Sequence, residues 1–359
     1  MRATWWMGMG SVVGVLSGCA AEPVTSNAPA ELGSGTECEM LRCGSNSPVI
    51  DGLGFHELNL QSAENAQHMR LVGFMQGNTE YTLHVTQGRL WGSRDGQILE
   101  HAELVGSRLL VSQASGTQVA ITIADVGAAH FWAVPPGMAP ESVPTIETYD
   151  LQWADSGADG VGDPWTPVCG APADDGRSMG MAAATAVVFE GDRIDAQRKT
   201  VSSVIDPAWF NIGCVGHALA KLALTGHTEA ARSFGYETTP AERQAMLKML
   251  TGDYCGTGEA FTVPGQPLYW RDDRGWMGAP SYPGPVHTPV EARWGAGGAI
   301  CLGAPRLDVN PPASWPATLP PPPPSLKARI TGACPALPAC MNLDPGELDG
   351  AHLVSANPL

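Results

Sequence analysis

The chain has few basic residues, with 20 Lys and Arg against 36 Asp and Glu, and its formal net charge is −16. A protein that binds duplex nucleic acid needs a basic face that displaces counterions from the phosphates. The composition therefore predicts that nucleic acid is not a partner. After the first 18 residues the sequence also lacks an apolar run of about 20 residues, the length that a membrane-spanning helix needs. It has no internal repeat, so solenoid architectures are not expected.

The first 19 residues are similar to a bacterial lipoprotein signal. They contain one basic residue, Arg2, then an apolar stretch, then the lipobox-like sequence LSGC ending at Cys19. An export signal needs only about 7–15 apolar residues. The similarity implies cleavage before Cys19, a lipid on its thiol and a fatty acyl chain such as palmitate on its new amine. Several acyl chains together make a stable membrane anchor. An ordinary signal peptide with a chance cysteine is the alternative.

Eight cysteines remain once Cys19 is assigned to the lipid. An even number of cysteines in an exported chain indicates disulfides, although sequence alone does not give their pairing. The eight are Cys38, Cys43, Cys169, Cys214, Cys255, Cys301, Cys334 and Cys340.

Composition and turn residues divide the mature chain into four regions. Residues 19–48 are rich in small and polar residues with little apolar periodicity, which predicts a tether. Residues 49–144 alternate short apolar segments with turn signals, which predicts a β-rich module. Residues 145–305 mix helices and strands. Residues 306–359 contain a proline-rich segment, expected to be extended, and a tail with two cysteines.

The third region contains the clearest local signals. Its predicted elements are a strand, two helices and a hairpin, at 147–153, 214–224, 239–252 and 290–302. The second helix has Thr239 as its cap, Pro240 in its first position and Gly252 at its end. We therefore expect an α+β fold, mostly β: a β-rich N-terminal module followed by a disulfide-stabilised domain with a helical hairpin and antiparallel strands.

One short segment of this region resembles a family signature. Asp253, Tyr254, Cys255 and Gly256 are similar to the motif of the ADYC-domain family, a group of exported proteins from myxobacteria and relatives, although Gly252 replaces the alanine of the name. The similarity covers about residues 145–305 and continues at Trp165, Cys169, Cys214, Gly258, Thr262, Gly265, Asp272, Gly275, Glu291, Ala292, Trp294, Gly298, Ala299 and Cys301. It implies no activity, because none is established for the family.

The resemblance also implies a disulfide pattern. Family members carry cysteines where this chain has Leu222 and Met246, which implies that apolar packing replaces a disulfide between the two helices here. With those positions facing each other, the resemblance implies a Cys214–Cys255 pair. The other expected pairs follow by elimination or by proximity and are Cys169–Cys301, Cys38–Cys43 and Cys334–Cys340.

A cysteine hydrolase is the alternative function. Cys214 is predicted to open a helix, where the helix dipole lowers the pKa of a thiol. His287 lies shortly before the strand at Glu291 and is a candidate base. This is the layout of papain-like peptidases and cell-wall amidases, in which an imidazole activates the thiolate. A disulfide at Cys214 would remove the nucleophile.

Two patterns suggest metal ions, and both are incomplete. Three carboxylates match part of an EF-type calcium loop that lacks the final bidentate acid, so a solvated acidic turn is the alternative. They are Asp155, Asp159 and Asp163. Cys214 and His217 have zinc-ligand spacing, with His227 as a possible third ligand. No other cofactor is expected.

Five tryptophans of the third region suggest either a glycan-binding platform or a buried core, and the core is favoured. They are Trp165, Trp209, Trp270, Trp276 and Trp294. The predicted function is therefore a lipid-anchored protein of the bacterial cell envelope, at the outer membrane or cell surface. Its expected role is non-catalytic, either structural or in binding an envelope protein or a glycan.

Overall fold

The computed structural model of the protein describes residues 44–45, 47–48, 50, 54–139, 142–155, 165–169, 185–263, 266–276, 289–309, 325–340 and 351–357. The strands within these ranges are β1 Gly44–Ser45, β2 Glu57–Asn59, β3 Arg70–Gln76, β4 Thr79–Glu80, β5 Thr82–Thr86, β6 Arg89–Arg94, β7 Gln97–Glu100, β8 Ser107–Ser112, β9 Gln118–His130, β10 Thr145–Asp155, β11 Thr166–Pro167, β12 Thr185–Gly191, β13 Ile194–Asp195, β14 Thr200–Val201, β15 Asp206–Cys214, β16 Pro267–Asp272, β17 Val290–Gly295, β18 Gly298–Leu302 and β19 Leu353–Ala356. The α-helices are α1 Ala218–Leu224, α2 Pro240–Thr251, α3 Arg306–Val309 and α4 Leu326–Ala333. Two 3-10 helices cover His101–Leu104 and Ala230–Phe234.

The largest sheet takes strands from both sides of residue 144, where the sequence analysis places a boundary. Its order is β2-β15-β12-β10-β9-β8-β3-β4, and β11 joins it as a ninth strand beside β10. β9 and β10 are antiparallel partners along the full length of β10. Strands β5, β8 and β9 lie within the predicted β-rich module. The two predicted regions therefore share one sheet.

A separate three-stranded sheet, β5-β6-β7, packs on the nine-stranded sheet. The turn between β5 and β6 consists of Gln87 and Gly88, whose φ angles of 55° and 67° match the turn type that joins antiparallel strands through two residues. Apolar residues of the two sheets share one core, which includes Leu83, Val85, Leu90, Leu109, Tyr149 and Phe210.

A second core lies among α1, α2 and a five-stranded sheet of order β1-β16-β19-β17-β18. Leu222 and Met246, which the sequence analysis expects to replace a disulfide by apolar packing, are both fully buried in it. β15 runs closely past α1, since a Cβ on Gly213 would lie 2.7 Å from the Ala220 nitrogen. Glycine is required at that contact.

The second predicted helix is confirmed with both of its ends. The side chain of Thr239 accepts a hydrogen bond from the Glu242 backbone nitrogen, and the Glu242 carboxylate accepts one from the Thr239 backbone nitrogen, which completes a capping box. Pro240 occupies the first turn, and Gly252 ends α2 with a φ of 61°. The hairpin predicted at 290–302 is also confirmed, as β17 and β18.

The first predicted helix begins later than the sequence suggested. α1 starts at Ala218 with His217 in the cap position, whereas Cys214 is the last residue of β15. Cys214 lies opposite Ala186 in the pairing of β15 with β12. That strand pairing is non-local, so the helical pattern of the neighbouring residues did not reveal it. The placement of Cys214 at a helix N-terminus was wrong.

Both ends of the described chain add strands to the five-stranded sheet. Gly44 and Ser45, within the predicted tether, pair with β16. β19, from the predicted tail, lies between β16 and β17, and all four of its residues are buried. The tail is therefore an internal part of this sheet.

The disulfides of the described residues differ from the expected pairs. They are Cys169–Cys214, Cys255–Cys334 and Cys301–Cys340, with Cα–Cα distances of 5.3, 5.4 and 5.0 Å. The expected pairs Cys214–Cys255, Cys169–Cys301 and Cys334–Cys340 are wrong. The expected pair Cys38–Cys43 lies outside the described residues.

Strand pairing explains two of these bonds. β11 and β12 pair with the same edge of β10, so Cys169, just after β11, comes close to the end of β15 at Cys214. The chain before residue 341 runs alongside β18, and the Cys340 nitrogen donates to the Leu302 carbonyl at 3.0 Å. This pairing carries Cys340 to its neighbour Cys301. The expected pairing of Cys340 with Cys334 relied on their proximity in sequence. The contact of Cys340 with β18 is tertiary, so the sequence did not show it.

The predicted fold class, α+β and mostly β, is confirmed. Among the described residues, no helix is long and apolar enough to cross a membrane.

We expect Cys340→Ser to lower the free energy of unfolding by about 2–4 kcal/mol, because it opens the loop that the Cys301–Cys340 bond closes. Cys301→Ser and the double variant should lose a similar amount, since all three changes remove the same bond. Urea unfolding followed by circular dichroism measures these losses. A double variant that lost twice as much as either single variant would show that the two cysteines are not joined.

Candidate functional site

The helix α2 is buried on all sides, so its charged side chains need partners inside the protein. Arg243 has two: its Nε lies 3.0 Å from Asp192 Oδ1, and its Nη1 lies 2.9 Å from Glu229 Oε2. Burial raises the pKa of Asp192 to about 6, a shift that the charge of Arg243 opposes. These pairs fix the chain that follows β12 against the helix.

Asp253, the first residue of the signature, makes the next buried ion pair. Its Oδ2 accepts a hydrogen bond from Lys248 Nζ at 2.6 Å and another from the Gly258 nitrogen at 2.8 Å. Lys248 also donates to the Arg198 carbonyl at 2.9 Å. Asp253 is fully buried, so its carboxylate holds together the loop that follows α2.

Cys255 and Gly256 complete the attachment of this loop. Cys255 is joined to Cys334 at the end of α4. Gly256 has a φ of 71°, and a Cβ at this position would collide with the Gly297 carbonyl in the β17–β18 turn. The glycine thus allows the signature to pack against the hairpin.

Glu291 is the centre of the largest buried polar cluster that involves the signature. Both Glu291 and Arg306 have fully buried side chains, and Arg306 forms a bidentate pair with the carboxylate, with Nε–Oε1 and Nη2–Oε2 distances of 2.5 and 2.7 Å. Tyr254 donates its hydroxyl to Oε1 at 2.5 Å, and Ser355 donates to Oε2 at 2.7 Å. Trp294 donates its indole N–H to the Ser355 hydroxyl at 2.8 Å. We call these five residues the Glu291 cluster.

The Glu291 cluster joins four separate parts of the chain: the signature, β17, α3 and β19. Burial and the charge of Glu291 raise the pKa of Tyr254 well above its ordinary value, so this phenol stays protonated. None of the five side chains is more than slightly exposed to solvent. The cluster therefore stabilises the fold and is closed to a substrate.

We expect Arg306→Met to lower the free energy of unfolding by about 3–5 kcal/mol, because it leaves the buried Glu291 carboxylate unpaired. The exposed pair of Arg329 with Glu259 offers a matched control, and Arg329→Met should cost only about 0–1 kcal/mol. Chemical denaturation of the two variants measures both effects. Equal losses for the two variants would contradict the importance of the buried pair.

The two candidate catalytic residues do not form a site in the described structure. Cys214 is bonded to Cys169, so it has no free thiol. His287 lies outside the described residues. The nucleophile that the cysteine-hydrolase hypothesis requires is therefore occupied by a disulfide.

The predicted calcium and zinc ligands are likewise not brought together among the described residues. Asp155 is exposed at the end of β10, whereas Asp159 and Asp163 lie outside the described residues. The zinc interpretation fails because the disulfide uses Cys214, and His217 occupies the cap position of α1.

A different group of potential metal ligands brings together Glu242, Asp273 and His352, with ligand atoms within 4.8 Å of one another. The Arg274 guanidinium already lies among the two carboxylates, 3.2 Å from Glu242 and 3.9 Å from Asp273. It supplies the positive charge that a cation would bring. This group is therefore an ionic cluster around an arginine.

Four of the five tryptophans in the third region are buried, as favoured by the sequence analysis. Trp209, Trp270, Trp276 and Trp294 are at most 7% exposed, and only Trp165, at 43%, is open to solvent. The five therefore do not form a shared surface platform.

His227, the suggested third zinc ligand, is instead a buried neutral side chain. Its Nδ1 lies 2.8 Å from the Thr225 carbonyl, which identifies Nδ1 as the protonated nitrogen. Its ring packs edge-on against Trp270 and Trp276. Burial lowers the pKa of His227 to about 3, with smaller contributions from Arg274 and Arg243, and the bond to Thr225 opposes the shift.

We expect His227 to make the fold sensitive to acid. In the unfolded chain its pKa is about 6.5, so the unfolded state takes up a proton that the folded state refuses until about pH 3. Stability falls as the pH drops through this window, by about 3 kcal/mol at pH 4.5. Urea unfolding of the wild type and His227→Phe between pH 7.5 and 4 measures the difference. Parallel stability curves for the two proteins would contradict this assignment.

A surface pocket that the sequence analysis missed lies between β6, β7 and β10. It has a volume of about 220 Å³, and its lining residues include Arg89, Trp91, Ile98, Glu100, His101 and Glu147. We call it the β6–β10 pocket. Its residues come from separate segments and form no motif, so the sequence alone does not show that they meet.

Glu147 is the least exposed polar group of the β6–β10 pocket. Its side chain is 7% exposed, and its Oε2 lies 3.2 Å from Nδ1 of His101. Burial raises the pKa of Glu147, while His101 and Arg89 oppose the shift. The pocket thus combines a desolvated carboxylate, two basic side chains and an aromatic ring.

The comparisons with known proteins agree with the signature. The ADYC domain matches residues 101–308, more than half of the chain, and the match includes β8 and β9 as well as the region that the sequence analysis assigned to the family. No curated protein and no solved structure matches the chain. The chain therefore belongs to the ADYC domain family.

Proposed function

We propose that the protein is a lipid-anchored component of the bacterial cell envelope whose folded part is a non-catalytic binding or structural module. The main support is the role of the signature side chains. Asp253 and Tyr254 are at most 1% exposed, and they and Cys255 are engaged inside the protein. A catalytic group must reach its substrate within hydrogen-bonding distance. Side chains that hold the core together are poorly suited to that task.

The disulfides support an extracytoplasmic location. Three disulfides in one chain are typical of an oxidising compartment and rare in the cytosol. The lipobox-like sequence that ends at Cys19 supports export followed by acylation. Together they favour a protein that is tethered to an envelope membrane by lipid.

The β6–β10 pocket favours binding over a purely structural role. It is open to solvent, and it places an aromatic ring beside charged side chains, a combination typical of ligand sites. A glycan or another envelope protein is the proposed partner class. The cysteine-hydrolase alternative requires a free thiol at Cys214, and that sulfur is bonded to Cys169.

We expect Cys19→Ala to move the protein from the membrane fraction to the soluble fraction and to abolish incorporation of labelled palmitate, because the variant has no thiol to carry the lipid that precedes acylation of the new amine. Cys38→Ala is the matched control, since it removes a nearby cysteine outside the lipobox and should leave both properties unchanged. Fractionation and labelling of cells that express each variant test the anchor. A Cys19→Ala protein that stayed acylated in the membrane would contradict it.

A further inference from the structure

The β6–β10 pocket is held rigidly by contacts on two sides. The backbone nitrogens of Gln87 and Gly88, in the β5–β6 turn, donate to the two carboxylate oxygens of Glu190 at 2.7 and 3.1 Å. The Leu90 nitrogen donates to the Tyr149 hydroxyl at 2.7 Å. Glu190 belongs to β12 and Tyr149 to β10, so the hairpin is fastened to the nine-stranded sheet. A preformed site loses less conformational entropy when a ligand binds.

Trp91 gives the pocket a fixed, flat aromatic surface. One face of its ring stacks on His84, with centroids 3.8 Å apart and planes inclined by 14°. Its indole N–H donates to the Thr86 hydroxyl at 2.8 Å. Trp91 is partly exposed, and no other ring or guanidinium of the described residues stacks on it. These contacts prevent the indole from turning away, and an apolar face of a ligand can pack on it.

The polar groups around Trp91 include both hydrogen-bond acceptors and hydrogen-bond donors. Glu147 and Glu100 accept hydrogen bonds, whereas Arg89 donates them and His101 donates or accepts. A strongly charged ligand would pair with one set of groups and leave the other set facing like charge. A ligand with several hydroxyl groups both donates and accepts, so it can satisfy both sets. The lining therefore favours an uncharged polyol.

The size of the pocket limits the range of possible ligands further. Its volume of about 220 Å³ is below the roughly 300–1,000 Å³ of sites for drug-sized ligands and suits a single sugar ring. A pyranose has an apolar C–H face for an indole and a rim of hydroxyls for carboxylates and guanidinium groups. Because the pocket is open, the ring can belong to a longer chain.

We propose that the β6–β10 pocket binds one pyranose unit of a neutral glycan, with a C–H face of the sugar on Trp91 and its hydroxyls on Glu147, His101 and Arg89. This inference rests on the binding role proposed above and names the ligand class for it. Because the site is solvent-exposed and has a single aromatic platform, we expect weak binding to an isolated sugar, in the millimolar range.

The test uses the full-length acylated protein in a detergent without a sugar headgroup. Saturation-transfer difference NMR with methyl glucoside, methyl galactoside and N-acetylglucosamine as probes reports binding and identifies the sugar protons that contact the protein. We expect transfer to the C–H protons of one ring face for at least one probe. Trp91→Ala and Glu147→Gln should each weaken binding at least tenfold. Trp165→Ala is the matched control, because Trp165 is an exposed tryptophan outside the pocket, and it should leave binding unchanged.

Circular dichroism melting curves identify variants that fail to fold. If Trp91→Ala fails to fold, Trp91→Phe replaces it, because it keeps a smaller flat ring and should weaken binding by a few fold. The proposal is overturned if folded wild-type protein shows no transfer to any probe, or if the pocket variants bind as well as the wild type. Trp91-dependent binding of glucuronate or lysine amide in preference to neutral sugars also overturns it. None of these outcomes changes the Cys19 fractionation result, so failure of this inference and failure of the anchor are distinguishable.

Discussion

The buried carboxylate of Glu291 imposes the strongest constraint on this fold. A carboxylate without solvent access is tolerated only when it is paired with a cation and hydrogen-bonded. Here Arg306 supplies the cation, and Tyr254 and Ser355 supply hydroxyl donors. These groups come from the signature loop, the hairpin, a short helix and the C-terminal strand. Satisfying one carboxylate thus requires that four distant segments be in place together.

This requirement explains the unusual position of β19. This strand belongs to the region that the sequence predicts as a proline-rich segment and a tail. In this protein it is central, and its Ser355 links Glu291 to Trp294. The Cys301–Cys340 bond brings the preceding chain to β18 and so limits where the strand can pair. The Cys301–Cys340 disulfide and the Glu291 cluster therefore both constrain the position of the chain that contains β19.

Local signals predicted local structure well and tertiary structure poorly. The cap at Thr239, the glycine at 252 and the alternating strands all depend on near neighbours, and the structure confirms them. Cys214 was misplaced because its strand pairs with a distant segment, and the disulfide pairs failed because the tail returns to β18. The β6–β10 pocket was missed for the same reason, since Trp91 and Glu147 meet only after two sheets have packed. The residues of the signature were recognised, but their burial became visible only in three dimensions.

The Glu291 cluster and the β6–β10 pocket belong to different parts of the molecule. The cluster lies with the core around α1 and α2, whereas the pocket lies against the core shared by the two other sheets. Energetic coupling between side chains is strongest where they touch or share partners. Among the described residues Glu147 and Trp91 share no partner with Glu291, so we expect substitutions in the pocket to leave the buried ion pair intact. The family signature therefore accounts for how the domain folds, while the recognition that we propose uses side chains that the signature does not contain.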